Sequence, residues 1–426
     1  MSEIHLKAPR GWINDPNGFI YYNGEYHLFY QHFPFAPRWG RMHWGHAVSK
    51  DLMDWKHLDI ALFPTKHDDM DGCFSGSAIE KDGAMHLLYT GVRYDVYDPE
   101  NTNCCLDGKF TAAQLHISSE DGYCFDNFEG KTTVIPTISD CSIGDSRNTR
   151  DPKVWRGGDG NYYMVIGSTA NNTGRLLFYR SGDLLKWEYV NFASAEGFGW
   201  MWECPDYFRV DNRDVLIFSP IGTEYGTQAV CTQVDFDEQS CSMKIGSEFQ
   251  FLDWGLDLYA PQSTTDKDGR RIVVAWLRMP EPTDRNTIGM FCMPRVCEVK
   301  DRHIFFRPHP DIRAKFSKKT ALPKGIYMVK ASLSAGDTLN IGGYLIKEEY
   351  GRIVADRSGV INNHNELRNV FETPVLSGGA DIEAYVDGNM IEVFVNGGEY
   401  VITNAVYGLS ERVSENAELF VMCDTE

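Results

Sequence analysis

The chain has 426 residues, 42% of them hydrophobic, 13% aromatic and 24% charged, and a formal net charge of −19. That length allows one large domain and a small one, and the acidic balance repels phosphate backbones, which excludes nucleic acid as a partner and disfavours an anionic polymer as substrate. No apolar run approaches the ~18 residues of a membrane-crossing helix, and the opening segment MSEIHLKAPRGW lacks the basic and apolar regions of a signal peptide, so a cytoplasmic protein is expected.

Short alternating runs bounded by Gly, Asn and Asp stand where long helical stripes would be, which predicts an all-β chain. The first run, FIYYNGEYHLFY, follows Asn14-Asp15-Pro16-Asn17-Gly18. An Asp in that place is, alone, an ordinary turn residue. The layout returns, however. The second unit is FSGSAIEKDGAMHLLYTG, with Ser75 in the place of Pro16. The third is DPKVWRGGDGNYYMVIG at Pro152, the fourth CPDYFRVDNRDVLIFSP at Pro205, and the fifth APQSTTDKDGRRIVVAW at Pro261. Eight residues after each anchor comes a turn position, Gly24, Gly83, Gly160, Arg213 or Gly269, and then a second apolar strand. HAVSKDLMDWKHL and FYRSGDLLKWEYV add a shared Ser, Asp-Leu, Trp pattern, and LHISSEDGYCFDNF is a looser version of it. The anchors lie 59, 77, 53 and 56 residues apart. Five hairpin units at that spacing predict a five-bladed β-propeller with long loops over residues 1–308. A sandwich with repeated turns is the competing reading. In a propeller each anchor begins the innermost strand of a blade, so the residues just before it converge on one axial pocket.

Those residues include Asp15, Asp151 and, one position earlier in its unit, Glu203. Three carboxyls from three units would meet in space, and like charges held close raise at least one pKa, as a general acid requires. Glycoside hydrolysis needs two such groups. Trp12, Trp39, Trp44, Trp200, Trp202, Trp276 and Phe74 are candidate stacking surfaces for a sugar, and Asn14, Gln31 and Arg150 are candidates for fixing its hydroxyls. The eleven cysteines follow no framework spacing and read as free thiols of a reducing compartment, with no metal site. After the fifth unit, a Pro-containing basic stretch at 309–324 reads as a linker whose charges are solvated or docked on the acidic propeller. Residues 325–426 alternate at period two and predict a small C-terminal β-sandwich.

WINDPNG, RDP and WECPD, with GCFSGSA and LDLYAPQS between and after them, resemble in order the signatures of glycoside hydrolase family 32, the β-fructofuranosidases. IEAYVDGNMIEVFVNGGEYVIT resembles the family's trailing sandwich, which is short here. The resemblance implies a five-bladed propeller and a retaining double displacement on a small fructose-containing sugar, with no cofactor. It assigns Asp15 as nucleophile, Glu203 as acid and then base, with a raised pKa, and Asp151 as transition-state stabiliser. Asn14, Gln31, Trp39, Phe74, Ser75, Arg150 and Trp276 would form the fructose site. Arg38, Arg41 and His43 read either as rim residues or as a solvated loop. Sucrose, sucrose 6-phosphate and short fructans stay open as substrates. So do a fructosyltransferase sharing the covalent intermediate, a non-catalytic sugar-binding propeller, and a five-bladed propeller acting on arabinose or xylose polymers.

Overall fold

The computed structural model describes residues 4–423 apart from 284, 363, 365 and 377. The regular structure of the described chain is almost all strand, and the one α-helix among the described residues is Pro310–Lys315. Five sheets follow one another up to Pro308, each with its strands paired in chain order. Their leading strands are Gly11–Tyr22, Gly72–Lys81, Arg150–Arg156, Met201–Val210 and Leu258–Thr265. Each leading strand packs on the next, and the fifth packs on the first. A short strand from the fifth unit, Thr287–Ile288, pairs in parallel with Gly11 and Trp12 and ties the first sheet to the fifth.

The alternation in the second strand of each unit explains how the sheets stack. Leu87 and Tyr89 pack against the first sheet, whereas Leu88 between them packs against the third. Tyr163 and Val165 face the fourth sheet, and Met164 and Ile166 face the second. Both faces of these strands are buried, so period-two alternation separates two cores rather than core from solvent.

Turn chemistry sets the connections. Asn23-Gly24 and Asp82-Gly83 carry positive φ at both residues, as a two-residue hairpin turn requires. In the fourth unit the turn is Asp211-Asn212, and Arg213, expected in the turn, opens the following strand. The repeated Ser, Asp-Leu, Trp pattern is one turn used twice. Ser49 Oγ accepts from the Asp51 and Leu52 N–H groups while Trp55 Nε1 donates to the Leu52 carbonyl. Ser181, Asp183, Leu184 and Trp187 repeat every one of these bonds.

Beyond the fifth sheet, a six-stranded and a four-stranded sheet share one core that includes Val329, Val393 and Ile402 from the first and Leu339, Ile346 and Phe371 from the second. The other face of the six-stranded sheet, with Met328, Tyr385 and Phe394, packs into the core of the fifth and first sheets. Between the halves lies a buried ionic cluster of Arg295, Asp253, Glu392, His5 and Asp387. The 309–324 stretch, expected as a linker, is built in. Ile312 and Phe316, four residues apart at the helical repeat, are buried together, and Lys318–Thr320 pairs with Glu418–Val421. Two of its cations are paired with named partners, Arg313 with Glu383 and Lys319 with Glu418, while Lys324 stands exposed.

Candidate active site

All five leading strands carry a β-bulge at the anchor. A bulge places two residues opposite one and re-aims side chains. In the third unit, Arg150 pairs with Gly167 and Lys153 with Val165, which leaves Asp151 and Pro152 in the bulge. Asp151, Cys204 and Ala260, each followed by proline, take left-handed φ of 67°, 48° and 49° there. In the first unit the bulge falls one residue earlier relative to its proline: Pro16 is paired with Tyr30, and Asn14 and Asp15 are unpaired. The three acids therefore hold three successive positions of a common bulge. Glu203 is the last paired residue, Asp151 the first unpaired one and Asp15 the second. Alignment on the prolines puts Asp15 and Asp151 at one phase, because a sequence cannot register which residue of a bulge is left unpaired.

These bulges open on one cavity of about 200 Å³. It is lined by Asn14, Asp15, Gln31, Trp39, Phe74, Ser75, Arg150, Asp151, Glu203 and Trp276, together with Trp12 and Tyr259. Beneath it a second void of about 10 Å³ is walled by Pro16, Pro152, Pro205 and Pro261, so the anchors converge as well.

Asp15 is held by three donors: Ser75 Oγ at 2.5 Å and the Cys204 thiol at 3.5 Å on Oδ2, and Asn14 Nδ2 at 3.1 Å on Oδ1. Trp12 Nε1 in turn fixes Asn14 Oδ1 at 2.7 Å. Burial raises the Asp15 pKa and the Glu203 charge adds to that, against the donated bonds. Asp151 accepts the Cys204 N–H at 2.9 Å. Burial pushes its pKa up to about 7, with the Glu203 and Asp15 charges adding to it and the Arg150 guanidinium opposing. Glu203 meets Arg150 Nη2 at 2.8 Å on Oε1 and the Tyr259 hydroxyl at 2.6 Å on Oε2. The carboxyls that burial raises are Asp151 and Asp15.

The walls are aromatic. Trp276 lies 5.7 Å from Trp12 and 6.5 Å from Tyr259, and Trp39 meets Phe74 edge-on at 6.1 Å. Gly289 permits this: at φ +88°, a Cβ there would sit 2.7 Å from Trp276 Nε1. Gln31 donates to the Cys73 carbonyl at 2.9 Å, which ties the first sheet to the second behind Ser75.

Other candidates lie elsewhere. Trp44 and Trp202 are fully buried in the core, with their indole N–H groups on the Phe74 and Phe198 carbonyls, and Trp200 does not line the cavity. Arg41 is tied to Asp71 at 3.5 Å and to the Thr102 carbonyl at 3.1 Å, and His43 to the Arg41 carbonyl, so neither is a free rim cation. Tyr259 received no role from the sequence. Its signal was positional, since it holds in the fifth unit the phase that Glu203 holds in the fourth.

An all-β chain whose strand bulges gather three carboxyls and an aromatic wall in one small cavity has the build of a glycoside hydrolase. The family model of the "Glycosyl hydrolases family 32 N-terminal domain" matches residues 5–308, and that of the "Glycosyl hydrolases family 32 C terminal" matches 309–424. The chain belongs to glycoside hydrolase family 32. It is 33% identical to a raffinose invertase of Escherichia coli over 95% of this chain and 89% of that protein. It is 34% identical to a sucrose-6-phosphate hydrolase of Escherichia coli over 95% and 88%. Among solved structures, a sucrose-6-phosphate hydrolase from Lactobacillus gasseri superposes with a TM-score of 0.85 at 25% identity, covering 99% of this chain and 93% of that one. A Bombyx mori GH32 beta-fructofuranosidase superposes with a TM-score of 0.83 at 28% identity, covering 99% and 94%.

Proposed function

We propose that this protein releases the terminal β-D-fructofuranosyl group of sucrose-type sugars by a retaining double displacement. The observation that carries the reading is the convergence of Asp15, Asp151 and Glu203, from three sheets, on one aromatic-walled cavity of about 200 Å³. Asp15 attacks the anomeric carbon while Glu203 gives a proton to the departing glycosidic oxygen, and a fructosyl ester forms on Asp15. Glu203 then takes a proton from the water that attacks the same carbon, and Asp15 is released. The Ser75, Asn14 and Cys204 donors favour the charged Asp15 that attack requires, against the burial that opposes it. Asp151 and Arg150 hold the fructosyl hydroxyls, with Gln31, Trp39, Phe74 and Trp276 shaping the site. Burial pushes the Asp151 pKa up to about 7, which keeps a carboxyl proton in the site close to neutral pH.

The same reading takes the five sheets as five propeller blades and residues 325–426 as a sandwich docked on them. The closed cycle of leading strands and the two-faced core supports it. It also places the enzyme in the cytoplasm, in keeping with eleven free thiols. Among the described residues no helix is long and apolar enough to cross a membrane. The test is sugar release from sucrose, sucrose 6-phosphate and a short fructan side by side, with Asp15→Asn as control. Fructose released by the parent chain and lost in the variant supports the reading, and the highest kcat/KM identifies the substrate. A folded protein that releases fructose from none of the three overturns it.

A further inference from the structure

A groove of about 790 Å³ lies away from the acid cavity, where the turn after the third strand of the first sheet meets the first residues of the six-stranded sheet. Its charge is opposite to that of the molecule. The chain carries 41 Lys and Arg against 60 Asp and Glu, whereas Lys7, Lys56 and Lys324 line the groove with Asp54 as the carboxylate among its lining residues. Lys7 reaches Asp387 at 3.5 Å. Lys56 and Lys324 are exposed and, among the described residues, have no carboxylate within ion-pair distance. Gathering cations of one sign around a concave surface costs free energy unless an anion neutralises them, and such a surface raises the local concentration of anions.

The groove also has an aromatic wall. Trp55 lines it with its indole N–H already bonded to the Leu52 carbonyl, so what Trp55 offers is ring surface rather than a donor. Ile326 and Met422 add apolar floor. An aromatic ring beside cationic heads suits a ligand with a flat or stackable ring body and an anionic group. The volume is several times what a lone phosphate needs.

We infer that this groove is a second binding site, for a small sugar phosphate: Lys56 and Lys324 take the phosphoryl oxygens and Trp55 stacks on the sugar ring. The site is separate from the acid cavity, and its occupancy does not depend on the hydrolytic reading.

Calorimetric titration of the full chain at low ionic strength tests this, with glucose 6-phosphate, inorganic phosphate and glucose as probes. The expected result is saturable one-site binding of glucose 6-phosphate, binding of inorganic phosphate weaker by about tenfold, and none of glucose. Lys56→Glu combined with Lys324→Glu, both on the exposed rim, should weaken glucose 6-phosphate binding at least about tenfold and leave fructose release from sucrose unchanged. Trp55→Leu should weaken glucose 6-phosphate but not inorganic phosphate. No saturable binding of either anion, or binding that the double charge reversal leaves intact, overturns the site. Equal affinity for both anions, insensitive to Trp55→Leu, overturns its assignment to a sugar phosphate.

Discussion

Two buried clusters in this molecule each hold three carboxyls, and they differ in what faces them. At the junction of the two halves, Asp253, Asp387 and Glu392 meet Arg295, His5 and Lys7. In the acid cavity, Asp15, Asp151 and Glu203 meet Arg150 alone. Burial opposes charge in both places. At the junction the Arg295 guanidinium and the His5 hydrogen bond overcome it and lower the pKa of Glu392, and His5 with Lys7 holds Asp387 down to about 2. Asp253 is the exception: burial outweighs Arg295 and raises it. In the cavity no second cation among the described residues comes to the carboxyls, and burial raises Asp15 and Asp151. On the function proposed above, the balanced cluster is the structural one, and the unbalanced one is where a proton and a nucleophile would be available at neutral pH.

Substitutions should therefore move activity and stability in opposite patterns at the two places. The largest expected effect is on chemistry. Asp15→Asn should lower kcat for fructose release by ~10⁴-fold or more, since it removes the attacking oxygen, while the thermal midpoint should not fall. Glu203→Gln should cost ~10²–10⁴-fold, because proton transfer is lost while the single amide oxygen can still accept from either Arg150 or Tyr259, which in the parent stand on different carboxylate oxygens. A marked drop in stability in either variant would mean that the cavity acids hold the fold, and would erase the contrast.

Glu392→Gln should show the reverse. It leaves Arg295 with Asp253 as its one remaining carboxylate, and breaking a buried pair from one side costs about 3–5 kcal/mol. Urea unfolding should report that loss, with kcat per folded molecule within about twofold of the parent.

Much of this contrast is open to sequence reading on one side only. The cavity acids sit in a repeated local pattern, so Asp15, Asp151 and Glu203 align by their prolines from the residue order alone. The bulge phase that separates Asp15 from Asp151 does not, because both registers spell Asp-Pro. Trp44 and Trp202 have the composition of a sugar platform, but their burial depends on which face of a two-faced strand they occupy. The junction cluster leaves no local trace at all. His5 meets Asp387 and Glu392 across 382 and 387 residues, and Arg295 sits in an ordinary strand. Pairing at that range comes from docking, which periodicity does not encode.

A smaller effect compares the clusters through pH. In the folded state Asp151 titrates near 7, against an ordinary value of 3.8. Between those values the folded chain holds a proton that the unfolded chain has released, so stability falls as pH rises through that window. Asp151→Asn removes this loss. Its advantage over the parent should be absent near pH 4 and grow, by at most about 1.4 kcal/mol per pH unit, until about pH 7, although fructose release is lost.

The last and smallest effect comes from His5, where the same direction of change has the opposite origin. Burial alone would lower its pKa, but the hydrogen bonds and charges of Asp387 and Glu392 prevail and raise it above 6.5. A raised histidine stabilises the fold fully below its unfolded value, and that stabilisation is lost as pH rises through the folded one. The parent should thus lose stability twice as pH rises, from a buried carboxyl gaining a charge and from an imidazolium losing a charge that was paired. Chemical unfolding followed from pH 4 to 9 separates the two. Asp151→Asn should flatten the slope between about pH 4 and 7 and leave the part above it, whereas His5→Gln should be less stable than the parent at pH 6 and converge on it as pH rises. If His5→Gln instead ran parallel to the parent across the range, His5 would be a neutral packing residue. The junction would then owe its balance to Arg295 and Lys7 alone.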